Sequence, residues 1–202
     1  MCKFRFLALS LTLSLTVGAV DWPQFRFGAN RGASSSEQLA PTLHLQWERE
    51  FPAPSPAFPG DVRLRYDATY FPVVMGDTIF VPSMVTDSVT AIDTSNGNVR
   101  WQYFSGGPVR FAPIVHQDAV YFGSDDGFAY CIDAKTADEI WRHRPLVDKR
   151  HTPSNGKLIS LWPCRTGVLV QGKRAYFAAS MLPWEASYLC AVDALTGKPE
   201  GA

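Results

Sequence analysis

The sequence lacks a disulfide framework and a charge bias. It contains four cysteines, of which none is adjacent to another and none belongs to a C-x-x-C pair, so a fold stapled by disulfides is not expected. Nineteen Lys and Arg residues balance nineteen Asp and Glu residues. Because no basic patch or run of one charge stands out, nothing indicates a nucleic-acid or membrane-surface partner.

Recognisable catalytic motifs are also missing. No Gly-rich phosphate loop leads from a strand into a helix, and no G-x-S-x-G motif is present. The histidines at positions 44, 116, 143 and 151 share no metal-ligand spacing. Asp125 and Asp126, in "SDDGF", are interpreted as hairpin-turn residues rather than as a cation site. The sequence therefore predicts no catalytic residue, no metal site and no cofactor.

The N-terminus differs in composition from the rest of the chain. "MCKFR" supplies two positive charges, "FLALSLTLSLTVGA" supplies an apolar run, and Val17 and Ala19 form a V-x-A cleavage pattern. We interpret residues 1–19 as a secretory signal peptide, with an uncleaved N-terminal anchor as the alternative. The mature protein is then expected to be periplasmic or secreted, without a membrane span after signal removal.

Export places the remaining cysteines in an oxidising compartment. Cys131 and Cys190 lie in the apolar strand-like runs "FAYCID" and "SYLCAVD", and we expect both thiols to be buried. Cys164, in "WPCRTG", is the thiol that we expect to be exposed. An odd number of cysteines leaves their redox state open.

The rest of the sequence repeats a pattern of short strands, and no stretch shows the apolar stripe of a helix. "YFPVV", "TIFVPS", "SVTAID" and "VRWQYF" recur as "RFAPIV", "AVYFGS", "FAYCID" and "EIWRHR", 40 residues later. A third set, "TGVLVQ", "RAYFAAS" and "SYLCAVD", follows. Four strands in about 40 residues predict a β-propeller blade. We therefore predict an all-β fold, a partial propeller of about three four-stranded antiparallel blades.

The repeats divide the chain into a leader and three blades. The leader, residues 20–69, contains a Pro-rich loop and the alternating segment "LHLQWERE" (43–50), which we interpret as an outer strand that closes a ring. The propeller repeats cover residues 70–202, with blades at about 70–107, 108–145 and 165–202. Insertions at 146–164 and 181–187 are predicted to be loops, which often build binding faces.

Each repeat ends with the same short motif, which we call the repeated phrase. In it an Asp caps a turn, a Gly tolerates positive φ, and a Trp follows whose large apolar side chain is expected to pack between blades. Trp47 has the character of the same Trp in the strand before the first blade. The third repeat stops before its Trp, so we expect the chain to be part of a longer propeller or a truncated product. The phrase residues are Asp93, Gly97 and Trp101; Asp133 and Trp141; and Asp193 and Gly197.

The pattern A-x-D-x-x-T-G-x-x-x-W resembles the repeat of the bacterial β-propellers named after pyrroloquinoline quinone. "AIDTSNGNVRW", "CIDAKTADEIW" and "AVDALTG" carry the resemblance, and "DWPQFRFGANRG" is similar to the mature N-terminus of secreted members. The quinone-using dehydrogenases of this superfamily have eight blades, a calcium ion, an acidic base and a vicinal Cys–Cys bridge, so a resemblance to them would imply the same features here. None of these functional residues has a match here, so the resemblance implies a non-enzymatic type without a cofactor.

Two pairs of residues are candidates for ligand binding. Arg110 and Arg165 each precede the innermost strand of a blade, so they are predicted to lie at the mouth of the central channel. There they either bind a carboxylate or phosphate group or bond to carbonyls of the rim. Trp162 and Trp184 lie in the insertions, where they either belong to a binding face or pack on the blade tops.

Two functions are consistent with these patterns. The first is an exported scaffold or binding module that takes a protein or an extended ligand on its insertion face, similar in fold to the propeller component of outer-membrane assembly. The alternative is an N-terminal fragment of a quinone-dependent dehydrogenase whose other blades hold the site. The bare faces of an incomplete ring also predict head-to-tail self-association.

Overall fold

The computed structural model describes residues 21–63 and 66–200. The predicted signal peptide, 1–19, lies outside the described residues. The described part contains thirteen β-strands, paired in antiparallel sheets, and no helix, which confirms the all-β prediction. Consequently it also contains no helix long and apolar enough to cross a bilayer.

The first blade is a four-stranded antiparallel sheet in sequential order. Its strands are β1 (Val73–Met75), β2 (Thr78–Ser83), β3 (Ser88–Asp93) and β4 (Val99–Phe104). Strand β3 is buried along nearly its whole length, whereas β4 alternates between exposed and half-buried positions. This gradient is expected of a blade whose middle strands pack on neighbouring sheets and whose last strand faces solvent.

The second blade repeats the order of the first. Its strands are β5 (Ile114–His116), β6 (Ala119–Gly123), β7 (Ala129–Asp133) and β8 (Glu139–His143). Every residue of β6 is buried, as are four of the five residues of β7. The β-branched and aromatic residues of these strands therefore form the centre of the described structure.

The third sheet follows the same plan. It consists of β11 (Leu169–Gln171), β12 (Arg174–Ala179) and β13 (Tyr188–Asp193), in sequential order. An isolated bridge between Val192 and Pro199 continues the sheet beyond β13. The two four-stranded sheets and this third sheet confirm the prediction of a partial propeller.

The insertion at 146–164 is more ordered than the predicted loop. It contains the hairpin of β9 (His151–Ser154) and β10 (Lys157–Ser160). Asn155 and Gly156 connect the strands and both have positive φ, 46° and 77°, as the favoured two-residue hairpin turns require. The Asn-Gly pair was the available signal, and two prolines and short strands obscured it.

The strand predicted for residues 43–50 is not formed. No residue of this segment belongs to a β-strand, and Leu43 and Leu45 are exposed. An alternating segment becomes a strand only when a neighbouring strand pairs with it. None of the three described blades offers a strand that pairs with this segment. One residue of the segment, Trp47, nevertheless makes the contact that is typical of an outer strand.

That contact is made by Trp47, and it recurs in the two complete blades. Each outer tryptophan donates its indole N–H to a backbone carbonyl in the turn of the following sheet, an arrangement that we call a tryptophan dock. The acceptors are Thr94, at 2.7 Å from Trp47; Ala134, at 3.0 Å from Trp101; and Ala194, at 2.8 Å from Trp141. The residues of the repeated phrase therefore join consecutive sheets.

A small residue with positive φ lies in the turn of each dock. Gly97, Ala137 and Gly197 have φ values of 72°, 65° and 66°. A Cβ atom built on Gly97 or Gly197 would lie only 2.7 Å or 2.6 Å from the ring of the docked tryptophan. Glycine is thus required at these two turns both by the backbone and by the close approach of the ring.

The aspartates of the repeated phrase cap the turns. Asp133 accepts hydrogen bonds from the amides of Lys135 and Thr136, and these bonds lower the pKa of its carboxyl group. The hydroxyl of Ser95, together with Arg100, lowers the pKa of Asp93 to about 2. Asp193 makes the equivalent bonds to its own turn.

Apolar cores fill the spaces between the blades. One cluster lies between the first and second blades, and another between the second and third. Cys164 belongs to the latter and is only 2% exposed, which corrects the prediction of an exposed thiol. It lies against Gly123, where an added Cβ would come within 2.6 Å of the Cys164 sulfur. Cys131 is buried as predicted, whereas Cys190 is only half-buried on β13.

The antiparallel order sorts the loops to two ends of the molecule. Strand β5 contacts both β1 and β11 across blades, and these three are the innermost strands. The Asp turns all lie at one end, which we call the turn end. The segments that precede the innermost strands lie at the opposite end, the mouth end, together with both insertions. The mouth end therefore collects the parts of the sequence that do not repeat.

Candidate binding site at the mouth end

Two arginines and one aspartate meet at the mouth end. Arg110 donates its Nε–H to Asp125 Oδ2 at 2.6 Å. Arg165 binds the same carboxylate with both branches of its guanidinium group, Nε to Oδ1 at 2.9 Å and Nη2 to Oδ2 at 2.8 Å. The side chain of Asp125 is 1% exposed. A buried carboxylate therefore holds the two arginines of successive blades together.

Asp67 adds a second carboxylate on the other side of Arg110. It forms an ion pair with Arg110 Nη1 and accepts a hydrogen bond from Asn155 Nδ2 at 2.9 Å. Burial alone would lower the pKa of Arg110, but the two carboxylates outweigh it and the pKa is raised. We call Asp67, Arg110, Asp125 and Arg165 the mouth network; its formal charges balance.

Backbone contacts fix the position of Asp125. Its N–H donates to the carbonyl of Pro108 at 2.9 Å, and its carbonyl accepts the N–H of Ser160, the last residue of β10, at 2.8 Å. The hairpin turn predicted for this region is present, but Asp125 is also the shared counterion of the arginines, which the sequence interpretation missed. The available signal was arginine at the same place in two repeats, since a carboxylate between two such cations stabilises both.

The structure thus gives the candidate arginines an internal partner. Neither the rim carbonyls nor an external ligand accounts for their main hydrogen bonds; Asp67 and Asp125 do. Arg165 also donates to Ser154 Oγ at 3.3 Å, and Lys157 donates to the carbonyl of Val85 at 2.8 Å. The insertion hairpin is consequently tied to the mouth network and to the first blade.

The two candidate tryptophans have different environments. Trp162 is 5% exposed, and its indole N–H donates to the carbonyl of Ala186 at 2.9 Å. The guanidinium group of Arg150 lies 4.8 Å from its ring centroid. Trp162 therefore packs between the insertions, in agreement with the packing alternative and not with the binding-face alternative, whereas Trp184 is 76% exposed.

The insertions form one continuous surface. The contact of Trp162 with Ala186 joins them, and Arg150, in the first insertion, pairs with Glu185, in the second, at 3.2 Å. Residues 146–164 and 181–187 together are the insertion face. Large apolar side chains on this face that remain exposed are Val147, Leu158 and Trp184. Of these, tryptophan is the residue type that is most typical of the anchors of protein interfaces.

A cavity lies beside the mouth network. Its volume is about 300 Å³, and both arginines and Asp67 line it. The other lining residues are mainly apolar or aromatic: Tyr66, Ala68, Thr69, Phe71 and Met84. We call this space the mouth cavity. It combines an apolar wall with two guanidinium groups, as small-ligand sites commonly do.

The residues at the mouth end do not fit a calcium ion. Calcium takes six to eight oxygen ligands, usually including several carboxylates, but Asp67 and Asp125 are already paired with arginine. Across residues 21–63 and 66–200, no group of three or more His, Cys, Asp or Glu side chains is placed to hold a metal. The calcium-assisted quinone chemistry of the superfamily therefore has no matching donor set in this region.

Similar proteins share the fold and are much longer. Polyvinylalcohol dehydrogenase of Sphingopyxis sp. (strain 113P3) is 25% identical over 170 residues, covering 78% of this chain and 23% of the relative. The structure of quinohemoprotein alcohol dehydrogenase from Comamonas testosteroni matches with a TM-score of 0.62 and 21% identity, over 89% of this chain and 26% of that one. Europium-containing methanol dehydrogenase matches with a TM-score of 0.57 and 17% identity, over 89% and 31%.

The structural matches show the fold of this chain, and the family match shows its family. Structural likeness at such low identity shows the fold alone, and the chain spans less than a third of the length of each of these three proteins. The family match covers most of this chain, because residues 35–200 correspond to the family described as outer membrane protein assembly factor BamB. The chain therefore belongs to that family of PQQ-like β-propeller repeat proteins.

Proposed function

We propose that this chain is an exported scaffold or binding module without catalytic activity of its own. The observation that carries the proposal is the mouth network, in which Arg110 and Arg165 are held by the chain's own carboxylates. Groups that neutralise one another in this way stabilise a surface, whereas catalysis needs polar groups directed at a reacting atom. The network thus supports a structural platform at the mouth end.

The partner of this platform is a protein or an extended ligand on the insertion face. The face presents Trp184, 76% exposed, and Leu158, 66% exposed, on segments that are tied down by hydrogen bonds and ion pairs. Exposed apolar anchors on a fixed backbone lose little conformational entropy on binding. Head-to-tail self-association, expected from the sequence, stays a prediction beside this one.

Crosslinking in an exporting host tests the binding surface. A photoreactive residue is placed at Leu158 or Trp184, and the matched control is Leu195, which is 64% exposed at the turn end. We expect one discrete adduct from both mouth-end positions and none from Leu195. Equal adducts from all three positions, or none from any, would contradict a binding face built by the insertions.

A second candidate function is part of a quinone-dependent dehydrogenase. The similarity to polyvinylalcohol dehydrogenase over 78% of this chain favours it. Calorimetric titration of the chain with pyrroloquinoline quinone and calcium separates the two candidates. A binding module should give no saturable heat, whereas saturable micromolar binding would favour the dehydrogenase.

A further inference from the structure

We propose that the mouth cavity binds the C-terminal carboxylate of an extended peptide whose last residue is apolar, and that Asp67 occupies the carboxylate position until the peptide replaces it. This inference rests on the proposed function as a binding module and names the chemistry of one contact.

Each arginine keeps one Nη group that its carboxylate partners do not use. Arg110 uses Nε and Nη1 for its carboxylates, and Arg165 uses Nε and Nη2. Within the described ranges, no buried side-chain nitrogen or oxygen lacks a hydrogen-bond partner, so the remaining Nη groups are accessible. Both arginines line the cavity. Carboxylate and phosphate groups both fit paired guanidinium N–H groups, and the group that Arg110 already binds at the cavity wall is a carboxylate.

Asp67 is already bound in the way expected of such a ligand. Its carboxylate pairs with Arg110 at the cavity wall, and its backbone has a φ of 60°. Aspartate tolerates this left-handed region, which Asp87 and Asp118 adopt as well, so the ion pair with Arg110 rather than the backbone carries the comparison. Asp67 thus resembles an internal substitute for a ligand carboxylate. Asp125 is buried and does not line the cavity, so a ligand in the cavity cannot replace its carboxylate.

The shape of the cavity sets the rest of the ligand. Its volume is about 300 Å³, and Phe71, Met84 and Ala68 provide an apolar wall next to the arginines. A terminal residue with an aliphatic side chain fills such a space while its carboxylate reaches the guanidinium groups. The cavity lies at the same end as the insertion face, since Asn155 of the insertion hairpin donates to Asp67. The peptide therefore continues from the cavity onto that face.

Calorimetric titration with acetyl-Ala-Ala-Leu tests the proposal, and the same peptide with an amidated C-terminus serves as its control. Asp67→Asn removes the competing charge and keeps the size of the side chain, so it should bind the free acid at least tenfold more tightly than the unmodified chain. Arg165→Gln should weaken binding at least tenfold. The amide should bind to none of the proteins.

Asp87→Asn is the matched control variant. Asp87 pairs with Lys157 at the same end of the molecule but does not line the mouth cavity, so this variant should bind like the unmodified chain. Equal binding of acid and amide, or no gain in Asp67→Asn, overturns the proposal. Hexanoate binding as tight as the peptide also overturns it, because the site would then serve small acids.

A spectroscopic readout covers the case in which Asp67→Asn does not fold. In the unmodified chain, millimolar free-acid peptide should shift the Nε–H resonances of Arg110 and Arg165, and the amide should not. The absence of shifts with the free acid overturns the proposal. A negative result here leaves the crosslinks at Leu158 and Trp184 as a separate test of the binding module.

Discussion

The turn end of the molecule is built from contacts that repeat in every blade, whereas the mouth end is built from contacts that do not repeat. At the turn end, three tryptophans dock in the same way, with an indole N–H on a turn carbonyl at 2.7 to 3.0 Å. At the mouth end, the arginines of two blades share one buried aspartate, and insertions of unequal length cover the loops. The repeated end joins sheets to one another, and the irregular end provides the surface on which a specific function can be built.

The comparison predicts that the largest loss of stability comes from a tryptophan dock. Trp141 is buried between the second and third sheets, against Gly197. Trp141→Ala should lower the free energy of unfolding by about 3–5 kcal/mol, the range for deleting a large core aromatic. Urea denaturation measures it. Trp184→Ala is the control and should change stability by less than about 0.5 kcal/mol. Similar losses in both variants would show that the dock contributes no more to stability than an exposed tryptophan does.

The mouth end should lose nearly as much when its shared carboxylate is removed. Asp125→Asn leaves Arg110 and Arg165 without their common counterion in a largely buried site. We expect a loss of about 3 kcal/mol, at the lower end for breaking a buried pair because Arg165 is partly exposed. The same denaturation experiment on Asp118→Asn is the control, because the Asp118 side chain is 82% exposed, and it should change stability by less than about 0.5 kcal/mol. A stability equal to that of the unmodified chain would mean that water, rather than Asp125, balances the arginines.

A smaller loss of stability is expected from Gly→Ala substitutions, which separate the effect of the tryptophan ring from that of backbone strain in the docks. Gly197 and Gly172 have similar φ values, 66° and 60°, but only Gly197 lies against a tryptophan. Gly172→Ala should cost about 1 kcal/mol from the left-handed backbone alone. Gly197→Ala should cost about 1–3 kcal/mol more, as expected of overpacking. Equal melting temperatures for the two variants would show that the ring does not restrict the turn.

The smallest predicted effect concerns acid titration at the turn end. The folded-state pKa of Asp93 is about 2, below its ordinary value of 3.8, because the Ser95 hydroxyl and Arg100 stabilise the carboxylate. Its contribution to stability is therefore present above about pH 4 and is lost as the pH falls towards 2. Carboxyl NMR titration of Ser95→Ala should give a higher pKa for Asp93. The pKa of Asp133, which backbone amides lower, should not change in this variant, and an unchanged Asp93 would exclude the hydroxyl as the cause.

Sequence reasoning was informative where the chain repeats. Forty-residue spacing predicted the all-β blades, and the Asp, Gly and Trp of the repeated phrase lie together at the docks. It missed the shared role of Asp125, because one aspartate in a turn looks alike whether its side chain faces solvent or two arginines. The burial of Cys164 was also missed, and the sequence left open whether Trp162 packs or binds, since both outcomes depend on how an insertion folds back onto the blades. Trp47 shows the reverse case, in which a tertiary contact is present without the strand that the pattern predicted.

Hydrogen exchange of the indole protons tests most directly the central claim that the same tryptophan dock joins the three blade sheets to one another and the segment around Trp47 to the first of them. In a protonated-to-deuterated solvent exchange followed by NMR, we expect the indole N–H groups of Trp47, Trp101 and Trp141 to exchange slowly, because each donates to a turn carbonyl. Trp184, which is 76% exposed, should exchange fast. Exchange of Trp47 as fast as that of Trp184 would contradict the account, since the leader would then not be docked on the first blade.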